Sequence, residues 1–153
     1  MSPAEFDQRF QELFTDMVTI AFEYVDSNKA EVDEVYVYCS MEKGNLFYNV
    51  FYRINGQLVE MHRVNTVSSK QYDVSDDRMF RLLDQGKDDV RETERLFKEA
   101  GREVPTEMRM VYSPKTGAFN NDINYDLHYT NHPTKTISDV FEEWYAALGG
   151  KIA

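Results

Sequence analysis

The sequence predicts an α+β fold in which helices pack on an antiparallel β-sheet of about five strands, in the order α-βββ-α(α)-ββ-α. Three observations indicate this class. Apolar residues recur at three- and four-residue steps near both ends of the chain, a spacing typical of amphipathic helices. Between them, short segments alternate apolar and polar residues, and tight-turn signals join these segments. Consecutive strands joined by tight turns favour an antiparallel sheet with helices on one face.

The first helix is predicted to run from Pro3 to about Val25. Ser2 is a favourable N-cap residue, and Glu5 completes an S-x-x-E capping box. Proline at the first helical position matches the fixed φ of its ring. The apolar face of this helix, which we expect to lie in the core, contains Phe6, Phe10, Leu13, Phe14, Met17, Ile20 or Ala21, and Tyr24.

A three-stranded meander is predicted next, with strands over 34–40, 46–54 and 58 to about 64. The segment 41–45 is expected to be the first turn. Asn55 and Gly56 are a strong two-residue hairpin signal, because both turn positions require a positive φ. The polar stretch 65–72 is expected to be a loop.

A second helical region is predicted to begin after Ser75, which is a favourable N-cap residue. Asp76 and Asp77 fall in its first turn, where the positive end of the helix dipole favours carboxylates. Gly86 is expected to end or bend this helix. The helical pattern resumes from Asp88 to Ala100, and the sequence is compatible with either one helix or two.

A second hairpin is predicted from a strand over 107–112, a turn over 113–117 that contains Pro114, and a strand over 119–127. The last strand alternates apolar and polar residues, so we expect it to have one buried and one hydrated face. Thr136 can cap a final helix whose apolar stripe includes Trp144. The whole chain, 1-153, is expected to form a single domain.

Charge restricts the classes of partner. The chain has 17 Lys plus Arg and 27 Asp plus Glu, for a formal net charge of -10. This charge repels phosphate backbones, so we expect no direct nucleic-acid binding and favour a basic protein partner. No apolar stretch approaches the ~20 residues of a membrane helix, and the first residues do not resemble a signal peptide. We expect a cytoplasmic protein that does not enter membranes.

The histidines and the cysteine do not match a catalytic or metal-binding motif. His128 and His132 are four residues apart, but their surroundings predict a strand end and a loop, not the helix of an HExxH zinc site. His62 stands alone in a predicted strand. Cys39 is the only cysteine, and its place among strand residues predicts a small buried side chain.

A calcium loop is suggested only in part by Asp122, Asn124 and Asp126. Leu127 stands where such a loop requires Gly, and Pro133 where it requires a bidentate Glu. Strand alternation explains the same residues. We therefore expect no metal ion, no cofactor and no enzymatic activity.

Two groups of carboxylates beside tyrosine are candidates for partner binding, since protein interfaces combine aromatic anchors with steering charges. In the second group Tyr125 is predicted to point away from the face of Asp122 and Asp126, so its ring could belong to the core instead. The alternative for both groups is structural, either capping a helix or hydrating a strand face. The candidates are Tyr72, Asp73, Asp76 and Asp77 at the second helix start, and Asp122, Tyr125 and Asp126 on the second hairpin.

Taken together, several segments resemble the YezG-type immunity proteins, small antitoxins that bacteria carry beside secreted polymorphic nuclease toxins. The resemblance spans nearly the whole chain and is carried by the first helix, VYVYCSMEKGNLFYNVFYRING, DVSDD, EVPTEMRMVYSPKTGAFNNDINYD and DVFEEWYAAL. It implies neutralisation of a cognate toxin by tight stoichiometric binding, with no cofactor and no reaction. It assigns no interface residues, because the toxin differs from pair to pair.

Two other classes of function fit the same sequence. One is an adaptor or regulatory binding domain with another basic partner. The other is a small enzyme or ligand-binding protein whose functional groups converge only in the folded structure.

Overall fold

The fold is built on one five-stranded antiparallel sheet. The computed structural model describes residues 1–151. The strands are β1 (Val32–Ser40), β2 (Phe47–Ile54), β3 (Gln57–Glu60), β4 (Glu107–Ser113) and β5 (Ala118–Asn124), in the spatial order β3-β2-β1-β4-β5. The helices are α1 (Pro3–Tyr24), α2 (Asp76–Glu99) and α3 (Ile137–Ala147). This is the predicted α+β class and element order.

The predicted N-caps of α1 and α2 and the two-residue hairpin turn at Asn55 and Gly56 are confirmed, whereas the Ser2–Glu5 capping box forms only its bond to the Ser2 hydroxyl. The Glu5 N–H donates to Ser2 Oγ (3.1 Å), and Ser75 Oγ accepts from the Arg78 N–H (3.2 Å) at the start of α2. Asn55 and Gly56 have φ of 50° and 78°, as the two-residue turn between β2 and β3 requires.

One face of the sheet is covered by α1 and α2. The helices bury a core whose sheet side includes Val35, Val37 and Cys39 on β1. α2 is a single helix up to Glu99, so the segment from Asp88 continues it, and the prediction that Gly86 ends the helix is wrong. Gly86 instead lies against the Tyr48 ring, where an added Cβ would fall 2.1 Å from Tyr48 Cδ1. The missing side chain lets α2 approach the sheet closely.

The opposite face is covered by α3, which corrects the expectation that all helices lie on one face. Trp144 is 8% exposed and packs edge-on against Phe51 of β2, with ring centroids 5.0 Å apart. Tyr36 and Tyr38 of β1 join the same cluster. β1 is therefore apolar on both sides because both of its faces are covered.

Two predicted strands are shorter than expected. β3 ends at Glu60, and Met61–Thr66 form a 3₁₀-helix that buries Met61 and Val64, three residues apart on one side. β5 ends at Asn124 and not at Leu127, since Thr106 holds the next backbone inward: its N–H donates to Asn124 O (2.8 Å) and its hydroxyl to Asp126 O (2.7 Å).

Candidate functional site

The most exposed apolar surface of the sheet lies on β5 and the residues that follow it. Phe119, Tyr125 and Leu127 are 42%, 47% and 41% exposed. Asp122 and Asp126 are also exposed and lie between them along the chain. We call these five residues the β5 surface. Tyr125 is thus not a core residue, and the second candidate group is brought together on one solvent-facing segment.

The two carboxylates of the β5 surface have no counterion in the part of the chain that the structure describes. Arg109 stands opposite Asp122 in the ladder, but its guanidinium donates to Glu107 at 2.7 and 3.3 Å. Lys115, in the hairpin turn, pairs with Asp33 at 2.6 Å. The negative charge of the β5 surface is therefore available to a cationic partner.

The segment after β5 is held by a buried carboxylate. Glu42, 1% exposed, accepts the backbone N–H groups of His128 (2.7 Å), Tyr129 (3.2 Å) and Thr130 (2.7 Å). Burial by itself opposes ionisation, but hydrogen bonds from Thr130, His128 and Tyr129 outweigh it and lower the pKa of Glu42. With Thr106 at one end and Glu42 at the other, the exposed side chains are presented on an ordered backbone.

A second buried carboxylate, Glu107, joins three strands beside the β5 surface. Tyr38 Oη (2.9 Å), Arg109 Nε (2.7 Å) and Asn124 Nδ2 (2.9 Å) all donate to it. His128 Nε2 lies 3.6 Å away. Burial, and then the negative charge of Glu107, raise the pKa of the Tyr38 hydroxyl strongly. The Glu107 oxygens are occupied by the protein's own donors, so the cluster ties strands together and offers no free carboxylate to a substrate.

Neither a scan against models of known protein families nor a search of curated proteins finds a match to this chain. Function must therefore be inferred from the exposed side chains, charges and backbone groups of the molecule itself.

The first candidate group has a different arrangement. Tyr72 is 5% exposed and its hydroxyl accepts from Asn28 Nδ2 (2.7 Å), so its ring is part of the core. Asp73 accepts the Ser75 N–H (3.0 Å), and this bond lowers the Asp73 pKa. Asp76 and Asp77 are exposed in the first turn of α2. Asp76 also lines a groove with Glu60 of the β3 edge, so this group lies across the sheet from β5.

The residues considered for nucleophilic or metal chemistry are dispersed. Cys39 is fully buried, and burial raises the pKa of its thiol to about 12. His132 Nδ1 accepts the N–H groups of Thr134 and Lys135, which closes a turn. His62 is exposed on the 3₁₀-helix after β3. Residues 1–151 contain no group of three or more His, Cys, Asp or Glu side chains that could hold a metal ion.

One carboxyl pair outside the β5 surface was not predicted. Asp89 of α2 is close to Asp16 of α1. Burial first, and then the proximity of the Asp16 carboxylate, raise the pKa of the Asp89 carboxyl to about 8. The pair lies in the contact between α1 and α2.

No helix within residues 1–151 is long and apolar enough to cross a membrane.

Proposed function

We propose that this protein is an immunity protein, which binds a basic nuclease toxin domain stoichiometrically and blocks it in the cytoplasm without catalysing a reaction. One observation carries the proposal. The β5 surface combines three exposed apolar side chains with two carboxylates that have no counterion within residues 1–151, on a chain of net charge -10. The resemblance to YezG-type immunity proteins supports the same partner class.

The chemistry of the β5 surface suits a protein partner. Tyr125 and Phe119 are aromatic anchors of the kind that contribute strongly to interfaces once they are desolvated. Asp122 and Asp126 accelerate encounter with a cationic surface and orient it. Because Thr106 holds the backbone on both sides of Tyr125 and Glu42 holds it after Leu127, binding costs less conformational entropy.

The buried polar groups support binding over catalysis. Glu107, the best-connected carboxylate, is fully buried and accepts hydrogen bonds from tyrosine, arginine and asparagine of the same chain. The Cys39 thiol is protonated at neutral pH because burial raises its pKa. The Glu107 oxygens are occupied by these donors and the Cys39 thiol is protonated, so neither group is free to act as a general base or a nucleophile.

The proposal predicts that a nuclease toxin domain is encoded beside the gene for this protein, and the direct test uses that domain. Purified protein should form a one-to-one complex with that domain and abolish its cleavage of DNA or RNA at equimolar concentration. A nuclease domain that remains active in excess of this protein and forms no complex with it would contradict the proposal.

Charge reversal tests whether the β5 surface is the binding site. Asp122→Lys with Asp126→Lys should slow association with the nuclease domain about 10-fold at low salt and weaken its salt dependence, because the steering field is reduced locally. Stopped-flow association at two salt concentrations measures both effects.

A matched control separates local from global charge. Asp84→Lys with Glu99→Lys changes the net charge equally at exposed positions of α2. This control should associate faster than the β5 double variant. Equal rates for the two variants would place the interface elsewhere.

A further inference from the structure

The outer edge of β5 is an unpaired strand edge. β5 pairs with β4 on one side and is the last strand of the sheet on the other. Natural edge strands are usually blocked by lysine, proline, a bulge or a covering segment. The β5 sequence, AFNNDIN, contains neither lysine nor proline. Its seven residues are all exposed or half-buried.

The direction of the β5 backbone groups follows from the ladder. Met41 N–H donates to Thr106 O (2.9 Å), and hydrogen-bonded pairs alternate along antiparallel strands. Met108 and Met110 therefore direct their backbone groups to β1, while Glu107 and Arg109 direct theirs to β5. On β5, the groups of Phe119, Asn121 and Ile123 consequently point away from the sheet. None of these groups has a backbone hydrogen-bond partner beyond the sheet within residues 1–151.

An apolar groove of about 350 Å³ lies between α1 and the β4–β5 hairpin. Phe14, Phe22, Tyr112 and Phe119 form its aromatic walls, and Phe14 stacks on Phe119 with centroids 5.5 Å apart. Side chains of β5 alternate between this side and the opposite side, which carries Asp122. A strand added at the edge would have one set of side chains near the groove and the other near the carboxylate.

We propose that β5 receives an extended segment of the partner as a sixth strand, with apolar side chains directed to the aromatic groove and basic side chains directed to Asp122. Main-chain hydrogen bonds to Phe119, Asn121 and Ile123 supply affinity, and the two faces supply specificity. A second copy of the chain is disfavoured as the occupant, because it is equally acidic and its β5 has no basic residue. This mode rests on the proposed function for the identity of the partner.

Proline at position 121 tests this mode directly. Asn121→Pro removes an outward N–H and places a ring at the edge, while the β4–β5 ladder keeps its bonds. Asn121→Ala is the matched control, since it removes the side chain and keeps the N–H. We expect the proline variant to bind the neighbouring nuclease domain at least about 10-fold more weakly than the alanine variant.

A second probe tests strand addition without the nuclease domain. It is a synthetic peptide of about eight residues that alternates lysine with valine or phenylalanine, the side-chain pattern that the two faces of β5 require. In the wild-type protein, this peptide at millimolar concentration should slow amide hydrogen exchange at Phe119, Asn121 and Ile123. Thermal unfolding and circular dichroism check that the proline variant is folded. The exchange measurement uses the wild-type protein, so it tests strand addition even if the proline variant does not fold.

The outcomes separate the two proposals. If the nuclease binds the folded proline and alanine variants equally and leaves the exchange of these three amides unchanged, strand addition is wrong and the immunity function stands. If the nuclease does not bind the wild type but the peptide protects the three amides, the immunity function is wrong and strand addition stands. If neither the nuclease domain nor the peptide protects the three amides, the inferred strand addition is wrong. A wild-type homodimer at low salt that Asn121→Pro dissociates would also overturn it, because the occupant of the edge would then be a second copy of the chain.

Discussion

Asp89 couples the stability of the α1–α2 contact to pH. Its raised pKa means that, between the ordinary aspartate pKa of about 4 and the raised value of about 8, the folded state binds a proton that the unfolded state has lost. The unfolding free energy therefore decreases as the pH rises through this interval and is insensitive to this group above it. The lost contribution is the cost of ionising a buried carboxyl beside Asp16.

Asp89→Asn should remove this pH dependence. We expect the stability of the variant relative to the wild type to increase between about pH 5 and about pH 9. Urea unfolding at the two pH values measures the change. Asp84→Asn, an exposed aspartate of the same helix, is the control and should show no such increase. A constant difference between Asp89→Asn and wild type would contradict the assignment.

Single buried acids are the residues that the sequence could not reveal. Glu42 lies in a stretch that predicts a turn, and Glu107 begins a strand with ordinary alternation. Most of their donors come from residues 69 to 88 positions away or from a strand that pairs only in the fold, and only Arg109 is a near neighbour on the same strand. The exposure of Asp122 was predictable because strand alternation is local, whereas Asp126 lies beyond the end of β5. The burial of Tyr72 was not predictable from the sequence, because the hydrogen-bond partner of its hydroxyl, Asn28, is distant along the chain.

Gly86 shows how a contact between elements overrides a local signal. In isolation, glycine predicts a helix end or a bend, yet α2 continues through it for 24 residues in all. The ring of Tyr48 occupies the space of the missing side chain, and its hydroxyl donates to Met17 O on α1 at 2.6 Å. The ring is therefore fixed between both helices and the sheet.

Gly86→Ala should destabilise the protein by about 2 kcal/mol, because overpacking against a fixed ring outweighs the gain of about 1 kcal/mol in helix propensity. Chemical denaturation measures the difference. Gln85→Ala, one position earlier and exposed, should leave the unfolding free energy nearly unchanged. A stabilised Gly86→Ala variant would show that α2 does not approach Tyr48 so closely.

At the scale of the whole molecule, the sequence of β1 indicated that both faces of the sheet are covered. β1 reads VDEVYVYCS, and its last six positions are all buried. Such a continuous apolar run indicates a strand covered on two sides, whereas β5 alternates and is covered less. Element order and the antiparallel sheet followed from turns and periodicity. The placement of α3 on the second face depends on long-range contacts between aromatic residues.

Trp144→Ala tests the second core. We expect a loss of roughly 3–5 kcal/mol in unfolding free energy, because the indole packs against Phe51, Tyr36 and Tyr38 and a cavity would remain. Glu142→Ala, exposed on the same helix, is the control. Urea titration with far-UV circular dichroism gives both values. A loss below about 1 kcal/mol would mean that α3 is loosely attached.

Because the β5 surface lies at the edge of the sheet, its sequence can change with little effect on the rest of the fold. Phe119, Tyr125, Leu127, Asp122 and Asp126 are exposed, so replacing them costs little of the stability that the two cores supply. Their backbone is held by Glu42, Thr106 and the β4 ladder, whose bonds survive when these exposed side chains change. Under the proposed binding function, selection can therefore change which partner the β5 surface contacts, one substitution at a time, while the scaffold stays constant.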